Sequence, residues 1–446
     1  MASTPSAETE LGSTIRRLRL RQANRQEVVP VPARLEGLIP KNHLARLLWE
    51  VVGRLDLSAF YAHIQVREGE PGAPAIDPKI LITLWLYAIS QGVSSAREID
   101  ELRVAHIAYM WICGGVCLNY HTISDFRTAY EAELDALLTQ VVQELNAAGL
   151  VELSIQGQDG MRVRASAGAA SFRRQPTLEK VLAQAQIREA EVEQAGQAQE
   201  DKRTAGQKAA QERAARERVA RLAVALAEMP AARAAKKAED QDKARVSSTD
   251  AEARVMKMAD GGYRPAYNWQ FSVELSHLVI TGVEVVNIGS DKAQMEPMVS
   301  QVVKRTGQLP RDWLVDGGFI KFTAIEALAV LGIAVFGPVP EPKDEKRDRY
   351  APSPSDSAVI AEWRQRMGTE AGKATYQQRS LVELPNAQAR SRHGVQQVRV
   401  RGRRKVRCVA LWVAIAHDLL IWIRHLWQGG SPAGERLPAC RSSVGA

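Results

Sequence analysis

The sequence predicts an α/β fold preceded by an all-α N-terminal domain, and three observations predict it. Up to about residue 150, apolar residues recur at helical spacing. From Val151 the period changes to two: Val151, Leu153, Ile155, Gly157, Asp159, Met161 and Val163 share one strand face. Further on, short apolar runs alternate with helical stretches, as in a sheet flanked by helices. Residues 1–150 are therefore read as an N-terminal helical domain and 151–428 as an α/β domain. A charged helical insertion spans 173–248, and 429–446 is a Gly/Ser/Pro tail read as disordered.

A chain of 446 residues with 45% hydrophobic content can build sizeable cores. Its formal net charge of +8 favours an anionic partner, nucleic acid or a membrane surface. Four cysteines make no disulfide framework, and Cys113 and Cys117 lack the further ligands a zinc site needs. The first residues lack the apolar core of a signal peptide. The apolar run Val406–Trp427 contains Arg407, His417 and Asp418, so it reads as a buried helix rather than a membrane span. A reducing cytoplasm is the expected compartment.

In order, residues 1–30 form a basic arm with Arg16, Arg17, Arg19, Arg21 and Arg25. Leu44, Leu47, Leu48, Val51 and Leu55 mark a helix. Pro78 opens a second, where proline costs no hydrogen bond, with Ile80, Leu81, Leu84, Tyr87 and Ala88 as its buried stripe. Gly92 ends it; Ser94 or Ser95 caps the next, with Glu98 in its first turn. Helix, glycine turn, capped helix is the outline of a helix-turn-helix, an outline any helical hairpin shares. Another helix is expected after His121-Thr122-Ile123-Ser124, with Asp125 and Arg127 near its start.

Asp159 sits on the apolar parity of the first strand. A buried carboxylate there costs several kcal/mol unless a cation, metal or hydrogen bonds compensate it; the alternative is a turn residue, since Asp-Gly favours turns. The insertion has no aromatic residue. Its stripes Leu178, Val181, Leu182, Ala185 and Val219, Leu222, Ala223, Leu226 suggest a helical hairpin broken at Gly196, Gly206 and Pro230. Tyr263–Glu274 and Leu278–Asn287 read as a strand pair. Asp291 is expected to cap a helix through Met298 and Val303. Trp313-Leu314-Val315 is a buried strand ending in Asp316-Gly317-Gly318. A helix over Thr323–Leu331, a strand over Ile333–Phe336, a helix around Glu362 and a last helix over Arg403–Trp427 follow.

The stretch Tyr376–Arg390, placed on one helix, puts Tyr376, Arg379, Glu383 and Arg390 within a sector of roughly 60°. One face would carry a carboxylate, two guanidiniums and a phenol. Pro385 is expected to bend that helix between Glu383 and Arg390. With Asp159 and Asp316, Glu383 makes three acids, two of them on strands. Ligands bind at strand ends of an open α/β sheet. Three converging carboxylates could hold divalent ions, and hard oxygen donors favour Mg²⁺ or Mn²⁺.

These motifs resemble those of bacterial insertion-sequence transposases of the IS4/IS5 type, with the IS1182-like members most similar. The most specific part is Tyr-x2-Arg-x3-Glu-x6-Arg/Lys, matched by Tyr376, Arg379, Glu383 and Arg390. Asp159-Gly160 and Val315-Asp316-Gly317-Gly318-Phe319 resemble the two aspartate motifs. Tyr267-Asn268-x-Gln270 and Ser290-Asp291-x-x-Gln294 are similar to segments between them. Asp77-Pro78, Gly92-Val93-Ser94-Ser95 and His121-Thr122-x-Ser124-x-Phe126-Arg127 resemble the N-terminal domain. Asn386 stands where Phe is frequent, and Asp418 where Asn is frequent.

The resemblance implies an RNase H-like mixed sheet and a DDE triad of Asp159, Asp316 and Glu383, catalytic and metal-holding with Mg²⁺ or Mn²⁺. Tyr376, Arg379 and Arg390 would bind phosphate. The expected partners are double-stranded DNA, as terminal inverted repeats and target, and further copies of the chain on that DNA, with no membrane. The expected place is the bacterial cytoplasm, at the nucleoid. Two other readings stand beside this one: a metal-dependent nuclease without strand transfer, and a non-catalytic DNA-binding remnant.

Overall fold

A computed structural model describes residues 34–66, 74–197, 204–342 and 347–428. The basic arm and the C-terminal tail lie outside the described residues.

The N-terminal third is helical because its apolar residues recur every three to four positions and its helix ends carry caps. Helix α1 (Leu44–Val52) starts at His43, whose Nδ1 accepts from the Ala45 amide. Helix α2 (Pro78–Ser90) has proline in its first turn, and the Asp77 carboxylate accepts from the Lys79 amide. Gly92, at φ 77°, turns the chain into α3 (Ala96–Ala105), which buries only Ile99. A helix that the sequence reading lacked, α4 (Ile107–Cys113), follows and ends at Gly114 with φ 58°. Helix α5 (Tyr120–Ala129) begins earlier than expected, because Asn119 rather than a residue after Ser124 provides the cap: its Oδ1 accepts from the Thr122 amide at 2.9 Å. Arg127 consequently lies in the last turn and is buried. Helix α6 (Glu131–Ala147) closes this part.

The sheet is mixed. Strand β1 (Ile155–Arg164) is central. On one side it pairs antiparallel with β3 (Tyr263–Glu274), whose far edge takes β2 (Arg254–Lys257) and β4 (Ile280–Val286), both antiparallel. On the other side β1 pairs parallel with β5 (Asp312–Leu314), and β5 pairs parallel with β6 (Ala334–Phe336). The expected α/β class is observed. Gln156 and Gln158, on the polar parity of β1, are nonetheless fully buried. They lie in a polar layer where Gln156 accepts from Thr281 Oγ1 at 2.9 Å and Gln158 donates to the Gln294 carbonyl at 3.0 Å.

Helix α9 (Met295–Thr306) lies against β4, α10 (Phe322–Val330) connects β5 to β6, and α11 (Ala358–Gly368), the helix expected around Glu362, packs on α10 and β6. Asp291 does not cap α9: Gln294 precedes the helix, and the Asp291 carboxylate turns inward to three donors described below.

The insertion is a hairpin of α7 (Gln175–Gln197) and α8 (Ala205–Ala227). The expected breaks fall at helix ends. Gly206 and Pro230 stand in first turns, and Thr204 and Gln207 form a capping box before α8. Leu178, Ala185, Leu222 and Ala225 form a small core of its own; Ala225 takes the place expected for Ala223. Phe172–Arg173 pairs with Val246–Ser247, tying the hairpin's two ends together.

The last helix, α14 (Arg403–Gln428), packs against α1, α2, α5, α6 and β4. One core therefore runs from the N-terminal helices into the sheet. This also explains why α2 is buried on nearly all sides, not along one stripe. Among the described residues, Arg403–Trp427 is the single helix long and apolar enough to cross a membrane, and 83% of its apolar window is buried within the protein.

Candidate active site

The site begins with a register. β1 and β5 pair only as far as Gly157 opposite Leu314. Asp159 and Asp316 each lie two residues beyond that last rung. Side chains alternate along a strand, so both carboxylates leave the sheet on the same side where the two strands part. Asp316 then opens a glycine turn, its Oδ1 accepting from the Gly318 amide at 2.8 Å.

The third arm enters the gap. The stretch expected as one helix is three pieces: α12 (Glu370–Gln377), a 3₁₀ turn (Gln378–Val382) and α13 (Glu383–Ser391). Pro385 explains the break. It has no N–H for the Leu381 carbonyl and its ring crowds that oxygen, so an α-helix cannot run through. The break therefore falls before Glu383, and Pro385 sits in the first turn of the new helix, where it is tolerated. The 3₁₀ turn lies on β1 so closely that a Cβ on Gly157 would collide with Val382 Cγ2.

This arrangement collects three acids around one cation. Arg379 Nη2 lies 3.1 Å from Asp159 Oδ1 and 3.7 Å from Asp316 Oδ2, and its Nη1 lies 2.8 Å from Glu383 Oε1. Exposure rises across the set, from 15% for the Asp159 side chain through 39% for Asp316 to 61% for Glu383. The site thus opens to solvent at Glu383. Burial raises the Asp159 carboxyl above its usual range; Arg379 opposes the rise, Asp316 adds to it, and the Asn386 amide opposes it. Burial works to lower the Arg379 guanidinium, but Asp159, Asp316 and Glu383 more than offset it and hold it charged. Tyr376 is half-buried beside them, and burial raises its phenol.

The structure brings Asp159, Asp316, Glu383, Arg379 and Tyr376 together. It does not bring Arg390, which is exposed at the far end of α13.

Two contributors escaped the sequence reading. Asn386 donates its Nδ2 to Asp159 Oδ2 at 2.9 Å; the available signal was a polar residue where the resembling family is often aromatic. Asp291 accepts from Asn268 Nδ2 and Gln270 Nε2, each at 2.6 Å, and from Arg162 Nη2 at 2.9 Å. It lies close under the site. A Cβ on Gly160 would be 2.7 Å from Asp291 Oδ1, and one on Gly318 would be 3.3 Å from Asp291 Oδ2. The signal was its place in Ser290-Asp291-x-x-Gln294, read there as a cap.

Three carboxylates around one guanidinium could take a cation in its place, and their hard oxygens suit a divalent ion. Their present spacing follows the guanidinium. Among the described residues, no group of three His, Cys, Asp or Glu side chains stands ready to hold a metal ion.

Residues 33–129 match a family model described as a transposase domain (DUF772), and residues 343–420 match one described as a transposase DDE domain. The two matches support an insertion-sequence transposase. The DDE match spans Tyr376, Arg379, Glu383 and Arg390, whereas Asp159 and Asp316 lie outside both matched segments. No curated protein and no solved structure matches the chain.

Proposed function

We propose that the chain is a DNA transposase of the IS4/IS5 type, most similar to IS1182-like members, acting through Asp159, Asp316 and Glu383. The observation that carries this reading is the convergence of three acids from three distant segments on Arg379. The antiparallel β1–β3–β4 set beside parallel β5 and β6 supports an RNase H-like core. In this reading 151–428 is the catalytic domain, and the helices of residues 1–150 bind the terminal inverted repeats.

Water attacks the phosphorus at each element end, and the 3′ oxygen leaves and takes a proton. The freed 3′-hydroxyl then attacks a target phosphorus, displacing the target's own 3′ oxygen. Mg²⁺ or Mn²⁺ held by Asp159, Asp316 and Glu383 would supply Lewis acidity at the attacking and departing oxygens.

The chain's own groups position the reactants. Arg379 exchanges its carboxylates for a phosphate oxygen, which a planar guanidinium binds equally well. Asn386 fixes the Asp159 carboxylate. Tyr376, half-buried beside Arg379 and Asp316, donates its hydroxyl to a phosphate oxygen, and with water as the nucleophile no covalent tyrosine intermediate is required. Arg390 contacts the backbone further along. Copies of the chain assemble on the two element ends, in the bacterial cytoplasm at the nucleoid.

The test is cleavage and joining of a duplex carrying an element end, with MgCl₂. Asp159→Asn and Glu383→Gln each abolish both products. Full activity in either variant sinks the assignment. Cut ends without joined products in the unmodified protein favour the nuclease reading, and binding without cleavage favours the remnant.

A further inference from the structure

Helix α13 carries Glu383 at one end and Arg390 at the other, seven residues on and roughly 10 Å away along the axis. Beyond Arg390 the chain does not return to the carboxylates. Residues 391–401 run along the outer end of β1. Val398 N donates to the Arg164 carbonyl at 2.9 Å, and Gln397 Nε2 donates to the Ala165 carbonyl at 3.0 Å. The same segment lies backbone-to-backbone on the turn between α2 and α3. A Cβ on Gly394 would be 2.6 Å from the Gly92 carbonyl oxygen.

The turn, the strand end and this segment enclose a cleft of about 610 Å³, lined in part by Ser94, Ser166, Arg390, Ser391, Gln397 and Arg399. No acid is among its lining residues. Arg390 and Arg399 are exposed, and among the described residues neither pairs with a carboxylate.

Behind the cleft, Arg127 is buried with its Nη1 donating to the Ser94 carbonyl at 2.8 Å, and its Nε has no partner. Burial and then the charge of Arg399 lower the Arg127 guanidinium to about 10. Other enclosed guanidiniums meet acids: Arg305 and Asp135 at 2.6 Å, Arg364 and Asp356 at 2.7 Å, Arg407 and Asp135 at 2.8 Å. Arg127 stacks instead over the Trp85 ring at 4.8 Å, so among the described residues no carboxylate neutralises the positive charge at the cleft.

At the far end of the segment, Arg401 lines a second cleft of about 310 Å³ with Arg218 and Arg221 of α8. Residues 390–401 therefore link two basic clefts, one against the N-terminal turn and one against the insertion.

We infer that residues 390–401 form a track for a DNA strand, with backbone phosphates seated by Arg390 and Arg399 and continuing toward Arg401 and Arg218. The inference rests on the transposase reading and adds a path to it. At about 3.4 Å per nucleotide on one strand, the first cleft lies about three nucleotides from the bond being cut. Serine hydroxyls, an amide and guanidiniums bind phosphate without reading bases, so the track contributes affinity and register but little sequence preference.

The test is fluorescence anisotropy of the full chain with a fluorescein-labelled duplex in EDTA, across a series of NaCl concentrations. Arg399→Ala weakens binding and makes the plot of log K against log salt shallower by about one unit. Arg399→Glu weakens it further. Lys304→Ala removes the same charge from an exposed position on α9 and leaves the slope unchanged. Thermal melting establishes that each variant is folded. If Arg399→Ala behaves as Lys304→Ala does while the unmodified protein binds DNA, the track is overturned and the transposase reading stands. If the unmodified protein binds no duplex, both fall.

Discussion

The Arg379 guanidinium lies 3.1 Å from the Asp159 carboxylate, across 220 residues of chain. It faces Asp316 and Glu383 as well, so one internal cation serves three acids. In Arg379→Ala those carboxylates lose their common counter-ion, and Asp159 is largely buried. Metal-free protein should lose about 1–3 kcal/mol, below the cost of breaking a fully enclosed pair because Glu383 is solvated. Added Mg²⁺ should then raise the melting temperature of the variant more than that of the unmodified protein. Equal shifts in the two proteins count against the carboxylates as metal ligands.

Gly157 is the position where the third arm meets the sheet. A methyl there collides with Val382, whose turn carries Arg379 to the site. Gly157→Ala should cost about 1–3 kcal/mol in urea unfolding, the range for overpacking. Val382→Ala in the same chain should recover part of that loss by making room. A double variant no more stable than Gly157→Ala alone would show that the collision is not the cause.

Asp291 ties Arg162 of β1 to Asn268 and Gln270 of β3. Asp291→Ala removes the carboxylate these three donors share, leaving the Gln270 amide without an acceptor and Arg162 and Asn268 with only the Gly289 and Ile288 carbonyls. The expected loss is about 3–5 kcal/mol. Asp291→Asn keeps one acceptor oxygen and should lose less. Urea denaturation of both variants checks the order, and equal losses would remove the hydrogen bonds as the reason.

Asp418 is fully buried on α14, its Oδ1 accepts from the Ile280 amide at 2.9 Å, and its Oδ2 has no partner. Burial raises its carboxyl well above the ordinary value of 3.8. A raised folded-state pKa stabilises fully below the unfolded value, and that stabilisation is lost as pH rises through the folded value. Asparagine can accept from Ile280 and carries no charge. Asp418→Asn should therefore match the unmodified protein near pH 4 and exceed it by about 1–3 kcal/mol at pH 8. Calorimetry at the two pH values reads this directly, and a gain at low pH alone contradicts it.

Acid titration of the neighbouring His417 works in the opposite sense. It is buried, its Nε2 donates to the Leu278 carbonyl at 2.9 Å, and burial lowers its pKa to about 4. The unfolded chain takes up that proton near pH 6.5 while the folded one does not. Stability should fall as pH drops from about 6.5 towards 4, and His417→Gln should flatten that slope in a melting series.

Much of the element plan could be read locally. Val279, Thr281, Val283 and Val285 alternate, and the strand pair of β3 and β4 stands where that alternation places it. Pro78, Gly92 and the stripes of the insertion also marked real boundaries, because caps, prolines and left-handed glycines act over a few residues. Asn119 and α4 were missed since their signals are short.

The sequence by itself determined which residue types were available for chemistry: acids within a period-two strand, at a strand's end, and in Tyr-x2-Arg-x3-Glu. The tertiary structure decided how they meet. The last rung between Gly157 and Leu314 sets Asp159 beside Asp316, and strand pairing across distant segments leaves no local trace. Pro385 forces the break before Glu383, which swings Arg379 among the acids and leaves Arg390 at the other end of α13. Helical periodicity put those two arginines on one face, but eleven residues separate them by roughly 16 Å along an axis even on an unbroken helix, and with the break before Pro385 they stand at different sites.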